Sequence, residues 1–186
     1  MIAYAFCGSF CTLSHSLAAL RRLLADGFDV LPIMSEAVYG TDTRFWRAEE
    51  FRATVSGLCG REIIHSIVGA EPLGPSVRAD AMVIAPCTGN TLAKLANGIS
   101  DSTVTMAAKA HLRADRPLLL ALSSNDSLSA NLKNIATLLC RKQVFFAPMR
   151  QDDPVKKPHS LVADYTQISE ALDDAVHGRQ CRPLFL

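Results

Sequence analysis

The run Ala81-Met82-Val83-Ile84-Ala85 restricts this chain most. A strand that is apolar at every position must be covered on both faces, the situation of a parallel strand between two layers of helix. It passes at once into Pro86-Cys87-Thr88-Gly89-Asn90-Thr91, a run of turn and cap residues, and then into the helical stretch Leu92-Ala93-Lys94-Leu95-Ala96. The same order recurs along the chain. Residues 3–6 predict a first strand, followed by the turn Cys7-Gly8-Ser9-Phe10-Cys11-Thr12 and by Leu13, Leu17, Leu20 and Leu24 at helical spacing up to Gly27. Residues 29–34 predict a second strand, 43–58 a helix closed by Gly57 and Gly60, and 63–68 a short strand. Pro72, Gly74 and Pro75 then break the pattern into a loop. Past the central strand, Asp101 or Ser102 is expected to cap a helix running to about residue 114. Residues 117–122 read as a buried strand, 128–139 as helix and 143–147 as a last strand. Residues 151–165, polar and carrying Pro154 and Pro158, read as a tail loop on the active side of the sheet, and 166–178 as a C-terminal helix. Alternating strands and helices of this kind make a doubly wound, mostly parallel sheet in a three-layer α/β/α arrangement.

Length and composition agree with one such domain over residues 1–186, given roughly 150 residues per domain. Hydrophobic residues make up 49% and charged residues 20%, which excludes a disordered chain. With 19 Lys plus Arg against 18 Asp plus Glu, no basic field exists to hold nucleic acid. The longest apolar runs, such as 117–122, fall far short of the roughly 20 residues of a membrane span. The start, Met1 to Phe6, has no basic n-region, so a cytoplasmic protein is expected. Six scattered cysteines, with no C-x-x-C pair and no histidine at metal-finger spacing, point to buried thiols and to no metal site.

In an open α/β sheet, ligands bind beyond the carboxyl ends of the strands. Those ends here are Gly8-Ser9, Ser35-Glu36, Pro86 to Thr91 and Ser123-Ser124-Asn125-Asp126, all small, hydroxylated or amide-bearing. Such loops bring backbone N–H groups and short donors to a phosphate beside helix N-termini. Neither G-x-G-x-x-G nor G-x-x-x-x-G-K-[ST] is present, which disfavours a dinucleotide or ATP. A mononucleotide phosphate held by hydroxyls fits better.

The segment from Ala85 to Asp101, with Gly8-Ser9 after the first strand and Ser35 after the second, resembles the signature of a flavoprotein family. That family includes phosphopantothenoylcysteine decarboxylase, lantibiotic-type cysteine decarboxylases and flavin prenyltransferases. The resemblance covers essentially the whole chain and implies a Rossmann-like (flavodoxin-like) fold and bound FMN. Carried over, Gly8, Ser9 and Ser35 would hold the phosphate and ribityl chain, while Pro86, Cys87, Thr88 and Thr91 would border the ring. Asn125 falls where decarboxylases place a substrate-touching Asn, although Ser124 precedes it here. The decarboxylase histidine is missing: counting back from Asp80 lands on Pro72. His65, on an apolar stretch, reads as a core histidine, and Cys87 has no base beside it in sequence to make it a nucleophile.

Several further segments place the chain near one branch of the family. They are Thr41-Asp42-Thr43-Arg44-Phe45, Ala70-Glu71-Pro72-Leu73-Gly74-Pro75, Val104 to Arg113, and the tail Gln151 to Asp164. That branch is one component of a two-subunit oxidoreductase that makes aromatic pyridine-2,6-dicarboxylate in sporulating bacteria. Its substrate is the dihydro precursor or a hydroxylated forerunner. The companion A subunit resembles a nicotinamide-dependent dehydrogenase, so NAD(P) would enter only through it. A dianionic substrate needs cations; Arg44, Lys156, Lys157 and His159 are the first candidates, with Lys109, His111 and Arg113 behind them. The resemblance also implies a homo-oligomer, a trimer or a multiple of one. The alternatives are an FMN-dependent decarboxylase or flavin prenyltransferase, the latter suggested by Pro86-Cys87-Thr88 and the stretch Arg113 to Pro117, and a non-catalytic scaffold for the dehydrogenase.

Overall fold

A computed structural model describes residues 1–74 and 76–186; Pro75, part of the predicted break, lies outside the described residues. The central strand β3 is Ala81–Cys87, buried at all seven positions as its composition requires. It pairs in parallel with β1 (Ile2–Phe6) and β4 (Leu118–Ser124), and β1 pairs in parallel with β2 (Val30–Met34). β5 (Val144–Phe146) pairs in parallel with the first half of β4. Two antiparallel strands, β6 (Met149–Asp153) and β7 (Lys157–Ala163), complete the order β2-β1-β3-β4-β7-β6. β7 meets β4 only at its carboxyl end, through Ser123 and Ser124 opposite Val162 and Leu161.

The helices are α1 (Leu13–Ala25), α2 (Glu36–Gly40), α3 (Ala48–Cys59), α4 (Ile67–Ala70), α5 (Gly89–Ala96), α6 (Thr103–Leu112), α7 (Leu132–Leu139) and α8 (Ile168–Val176). Alternation along β1 assigns them to layers. Ile2, Tyr4 and Phe6 join a core with Leu13, Leu20, Phe51 and Ile168, from α1, α3 and α8. Ala3, Ala5 and Cys7 face the other core with Ala70, Leu92, Val104 and Ile135, from α4 to α7. This is the doubly wound, mostly parallel α/β/α sheet that the sequence predicts. None of the helices among the described residues is long and apolar enough to cross a membrane.

The structure differs from the sequence reading at four places. The helix predicted over 43–58 begins only at Ala48, whose N–H donates to Asp42 Oδ1 at 2.8 Å after a turn built on Thr43. The strand predicted over 63–68 is a single bridge, Ile33 to Ile64; the Ser66 hydroxyl then accepts from Gly69 N–H at 3.1 Å and starts α4. The helix predicted from 128 begins at Leu132. The polar tail at 151–165 is a β-hairpin and not a loop. Pro154 sits in its turn, where Asp153 Oδ1 accepts from Val155 and Lys156 N–H at 3.1 and 2.9 Å. Pro158 lies outside the part of β7 that pairs with β4, so its missing N–H removes no bond from that ladder. The C-terminal helix forms as α8, behind a 3-10 turn at Tyr165–Gln167.

Candidate functional site

The carboxyl ends of β1, β3 and β4 open into a cavity of about 1010 Å³, roofed by the β6–β7 hairpin. That volume reaches the upper end of the roughly 300–1,000 Å³ usual for small-molecule sites. Gly8, Ser9 and Thr12 line one side. The turn is locked by Thr12, whose N–H and hydroxyl both donate to Ser9 C=O, at 3.0 and 2.9 Å. Thr88, Gly89 and Asn90 present the N-terminus of α5 to the cavity. Thr88 caps that helix, its hydroxyl accepting from Thr91 N–H at 3.2 Å. The helix end gives this wall a partial positive charge suited to an anion.

After β4, Ser123 to Asp126 form the next wall. Asp126 accepts from the Ser124 hydroxyl, and its other oxygen accepts from Asn131 Nδ2 at 2.8 Å. The hydrogen bond from Ser124 holds the Asp126 carboxyl below the usual aspartate range. Asn134 Nδ2 in turn donates to Asn131 Oδ1 at 2.8 Å. Beneath the hairpin, Tyr165 shares a 2.8 Å hydrogen bond with Ser123 Oγ, and burial pushes its phenol up. Asp164 is pushed up by burial and pulled down further by hydrogen bonds from Thr166 and Gln167, leaving its carboxyl below the usual range. Arg150, Asp152, Lys157 and the stretch 160–163 come from the hairpin, Arg44 and Phe45 from the turn before α3, and His15 from α1, its ring 6.1 Å from that of Tyr165. Lys157 is paired with Asp152, whose hydrogen bond raises the ammonium pKa.

The predicted site residues divide. Gly8, Ser9, Thr88, Asn125, Arg44 and Lys157 line one cavity. Ser35, Pro86, Cys87, Thr91, Lys156 and His159 do not line it. Ser35 caps α2, accepting from Val38 N–H at 3.4 Å. Pro86 C=O accepts from Cys7 N–H at 3.2 Å. Cys87 is fully buried, and burial holds its thiol well above the ordinary value, which removes it as a nucleophile. Thr91 is buried and donates its hydroxyl to Cys7 Sγ at 3.3 Å. Lys156 and His159 are exposed on the hairpin. Of the secondary cations, His111 is buried with Nε2 donating to Pro117 C=O at 2.9 Å, and Lys109 and Arg113 lie away from the cavity lining. His65 is no core histidine: it is exposed and stacks on Tyr39 at 3.9 Å.

Sequence reasoning missed His15, Arg150, Asp152, Asp164 and Tyr165. The four later residues reach the cavity only because residues after β5 turn back as a hairpin across the end of β4. A strand reading of Met149 to Asp153 would have been the signal, and Pro154 and Pro158 masked it.

The chain matches the family model described as Flavoprotein over residues 2–177. It is 42% identical to the B subunit of dipicolinate synthase of Bacillus subtilis, over 100% of this chain and 92% of that protein. The solved structure of the dipicolinate synthase B subunit from Bacillus halodurans superposes with a TM-score of 0.91 at 38% identity, covering 100% of this chain and 95% of that one. A flavin prenyltransferase of Chlamydia muridarum is 30% identical over 72% of this chain and 69% of its own length. With a cavity at the carboxyl ends of its strands and a family match over almost its whole length, this chain belongs to the Flavoprotein family.

Proposed function

We propose that this chain is the flavin-holding B subunit of a dipicolinate synthase, contributing to oxidation of dihydrodipicolinate or its hydroxylated precursor to dipicolinate. The observation that carries the reading is full-length identity of 42% to the B subunit of a dipicolinate synthase. The cavity fits FMN in kind. It has the room, a hydroxyl-bearing turn at Gly8-Ser9, a helix N-terminus at Thr88-Gly89, and no dinucleotide fingerprint. When bound, FMN supplies an acceptor for two electrons. Making the pyridine ring from its dihydro form removes two electrons and two protons, as a hydride and a proton, and the hydroxylated precursor must lose water as well.

The protein's own residues then have three tasks. Ser9 and the first turn of α5 hold the cofactor's anionic end. Leu161 and Val162, the hairpin residues paired to β4, keep water from one side of the site. The cations of the cavity rim orient the dianion. A dehydrogenase-like A subunit is the proposed partner, with NAD(P) confined to it, and self-association in a homo-oligomer is part of the same reading.

The experiment is a titration of the chain with FMN, followed by flavin fluorescence. Saturable binding that Ser9→Tyr weakens by about tenfold or more is expected, since a phenol in that turn would fill cofactor space. The flavin-loaded chain should then raise dipicolinate formation by the A subunit. An A subunit equally active alone would leave this chain as a scaffold. Capture of a prenyl phosphate by the flavin-loaded chain would favour the prenyltransferase reading suggested by the Chlamydia relative.

A further inference from the structure

Thr41-Asp42-Thr43-Arg44-Phe45 becomes a rigid presenting turn. The Thr43 hydroxyl accepts from the N–H of both Phe45 and Trp46 at 3.2 Å, and Thr43 N–H donates to Trp46 C=O at 2.9 Å. Trp46 is pinned in turn, its indole N–H donating to Ser14 Oγ at 3.2 Å and its ring packed edge-on against Phe51 at 5.2 Å. Arg44 and Phe45 are left to project into the cavity, the guanidinium 4.8 Å from the Phe45 ring centroid. Phe45 stays 45% exposed there, with the Arg44 guanidinium over its ring.

From β6, at the other edge of the sheet, Arg150 lines the same cavity. Among the described residues neither arginine makes an ion pair. The other charges of the cavity have partners: Lys157 has Asp152, Asp126 has Ser124 and Asn131, and Asp164 has hydrogen bonds from Thr166 and Gln167 with the charge of Arg150 nearby. Two guanidinium groups that line one cavity and make no ion pair, with a partly exposed aromatic ring beside one of them, match a flat ring bearing two carboxylates.

We propose that Arg44, Phe45 and Arg150 form the specificity site for a planar aromatic dicarboxylate: each arginine takes one carboxylate and Phe45 stacks on the ring. The inference rests on the functional reading above and assigns its substrate contacts. Ser9 and Thr88 line the same cavity and are left to the anionic end of the cofactor.

The test is calorimetric titration of the FMN-saturated full chain with pyridine-2,6-dicarboxylate and with the monocarboxylate pyridine-2-carboxylate. The wild type should bind the dicarboxylate about tenfold or more tightly than the monocarboxylate, from one additional charge-assisted contact. Arg44→Gln and Arg150→Gln should each remove that preference, Arg44→Lys should restore part of it, and Phe45→Ala should weaken both acids alike. The FMN dissociation constant should stay within about twofold in all four variants, and Arg21→Gln on the exposed face of α1 should change nothing. Unchanged dicarboxylate affinity in both arginine variants would overturn the assignment while leaving the functional reading intact. Weakened FMN binding with dicarboxylate affinity unchanged would give the arginines to the cofactor phosphate and overturn it as well. No dicarboxylate binding by the wild type would overturn the functional reading itself.

Discussion

At Gly89 an added Cβ would lie 2.7 Å from Asn131 Nδ2 and 2.8 Å from Asp126 Oδ1, and closer still to Ser124 Oγ. The missing side chain is what allows the first residue of α5 to sit directly on the hydrogen-bonded group around Asp126. Those three atoms belong to partly buried side chains already bonded to one another, so none can move alone. Gly89→Ala must therefore open the group, at a cost of about 1–3 kcal/mol. Because Gly89 and Asp126 both line the cavity, flavin affinity should fall with stability. Urea denaturation and FMN titration of the variant check the two effects; a fully stable Gly89→Ala protein with wild-type flavin affinity would refute the argument.

The β6–β7 hairpin is the element that makes the strand ends into a cavity, and outside its short pairing with β4 it is held by Leu128 N–H donating to His159 C=O and by bonds between Met149 and the C-terminal residues Leu184 and Leu186. β7 pairs with β4 only through Leu161 and Val162. The hydrogen bond between Ser123 Oγ and Tyr165 Oη ties the residues that follow the hairpin to the same end of β4. Tyr165→Phe leaves the buried Ser123 hydroxyl without that partner and should cost about 1–2 kcal/mol. Adding Ser123→Ala removes the stranded group, so the double variant should be no less stable than Tyr165→Phe alone. Chemical denaturation measures this, and additive losses would show that the pair is not coupled. The hairpin is also where the sequence was least legible. The strand over 81–85 and the helix capped by Ser102 could be read because their signals are local: an apolar run in one case, a cap residue before a helix in the other. The hairpin depends on where β4 ends in space, and its prolines carry a loop signature that tertiary pairing overrides. Residues 63–68 failed for a different reason, since a six-residue stretch with four apolar residues suits a strand or a buried helix start, and the Ser66 cap decided it. The candidate site divides in the same way: Gly8, Ser9 and Thr88 follow from their strands, whereas Arg150 and Tyr165 depend on the hairpin's return.

Across the whole molecule, a buried histidine and several carboxyls respond to acid in different pH ranges. At the amino end, His111 is buried beside the start of β4, with Nε2 on Pro117 C=O and Nδ1 lacking a partner among the described residues. Burial holds its pKa below the ordinary histidine value, so the folded protein favours the neutral ring. The stability this provides is complete above the unfolded value of about 6.5 and is lost as pH falls towards and through the folded pKa, because only the unfolded chain takes up the proton readily. At the carboxyl end, Asp126 and Asp164 line the cavity with their carboxyls held below the usual range. Their contribution is present above an unfolded value of about 3.9 and disappears as pH falls through their folded values. Two separate losses are therefore expected on acidification, the first from His111 and the second from the carboxyls, among them Asp80 at the amino end, held low by its hydrogen bond from the Met1 ammonium. Replacing His111 by Gln keeps a donor for Pro117 C=O and removes the titration. Urea midpoints of His111→Gln should decline less steeply than wild type between about pH 7 and pH 5, and the two proteins should fall together below about pH 4. Their FMN affinities should match at every pH, since His111 is absent from the cavity lining. Parallel slopes between about pH 7 and pH 5 would mean that the buried imidazole does not govern the first loss. A flavin affinity that differed between the two proteins would mean that the two ends of the sheet are coupled.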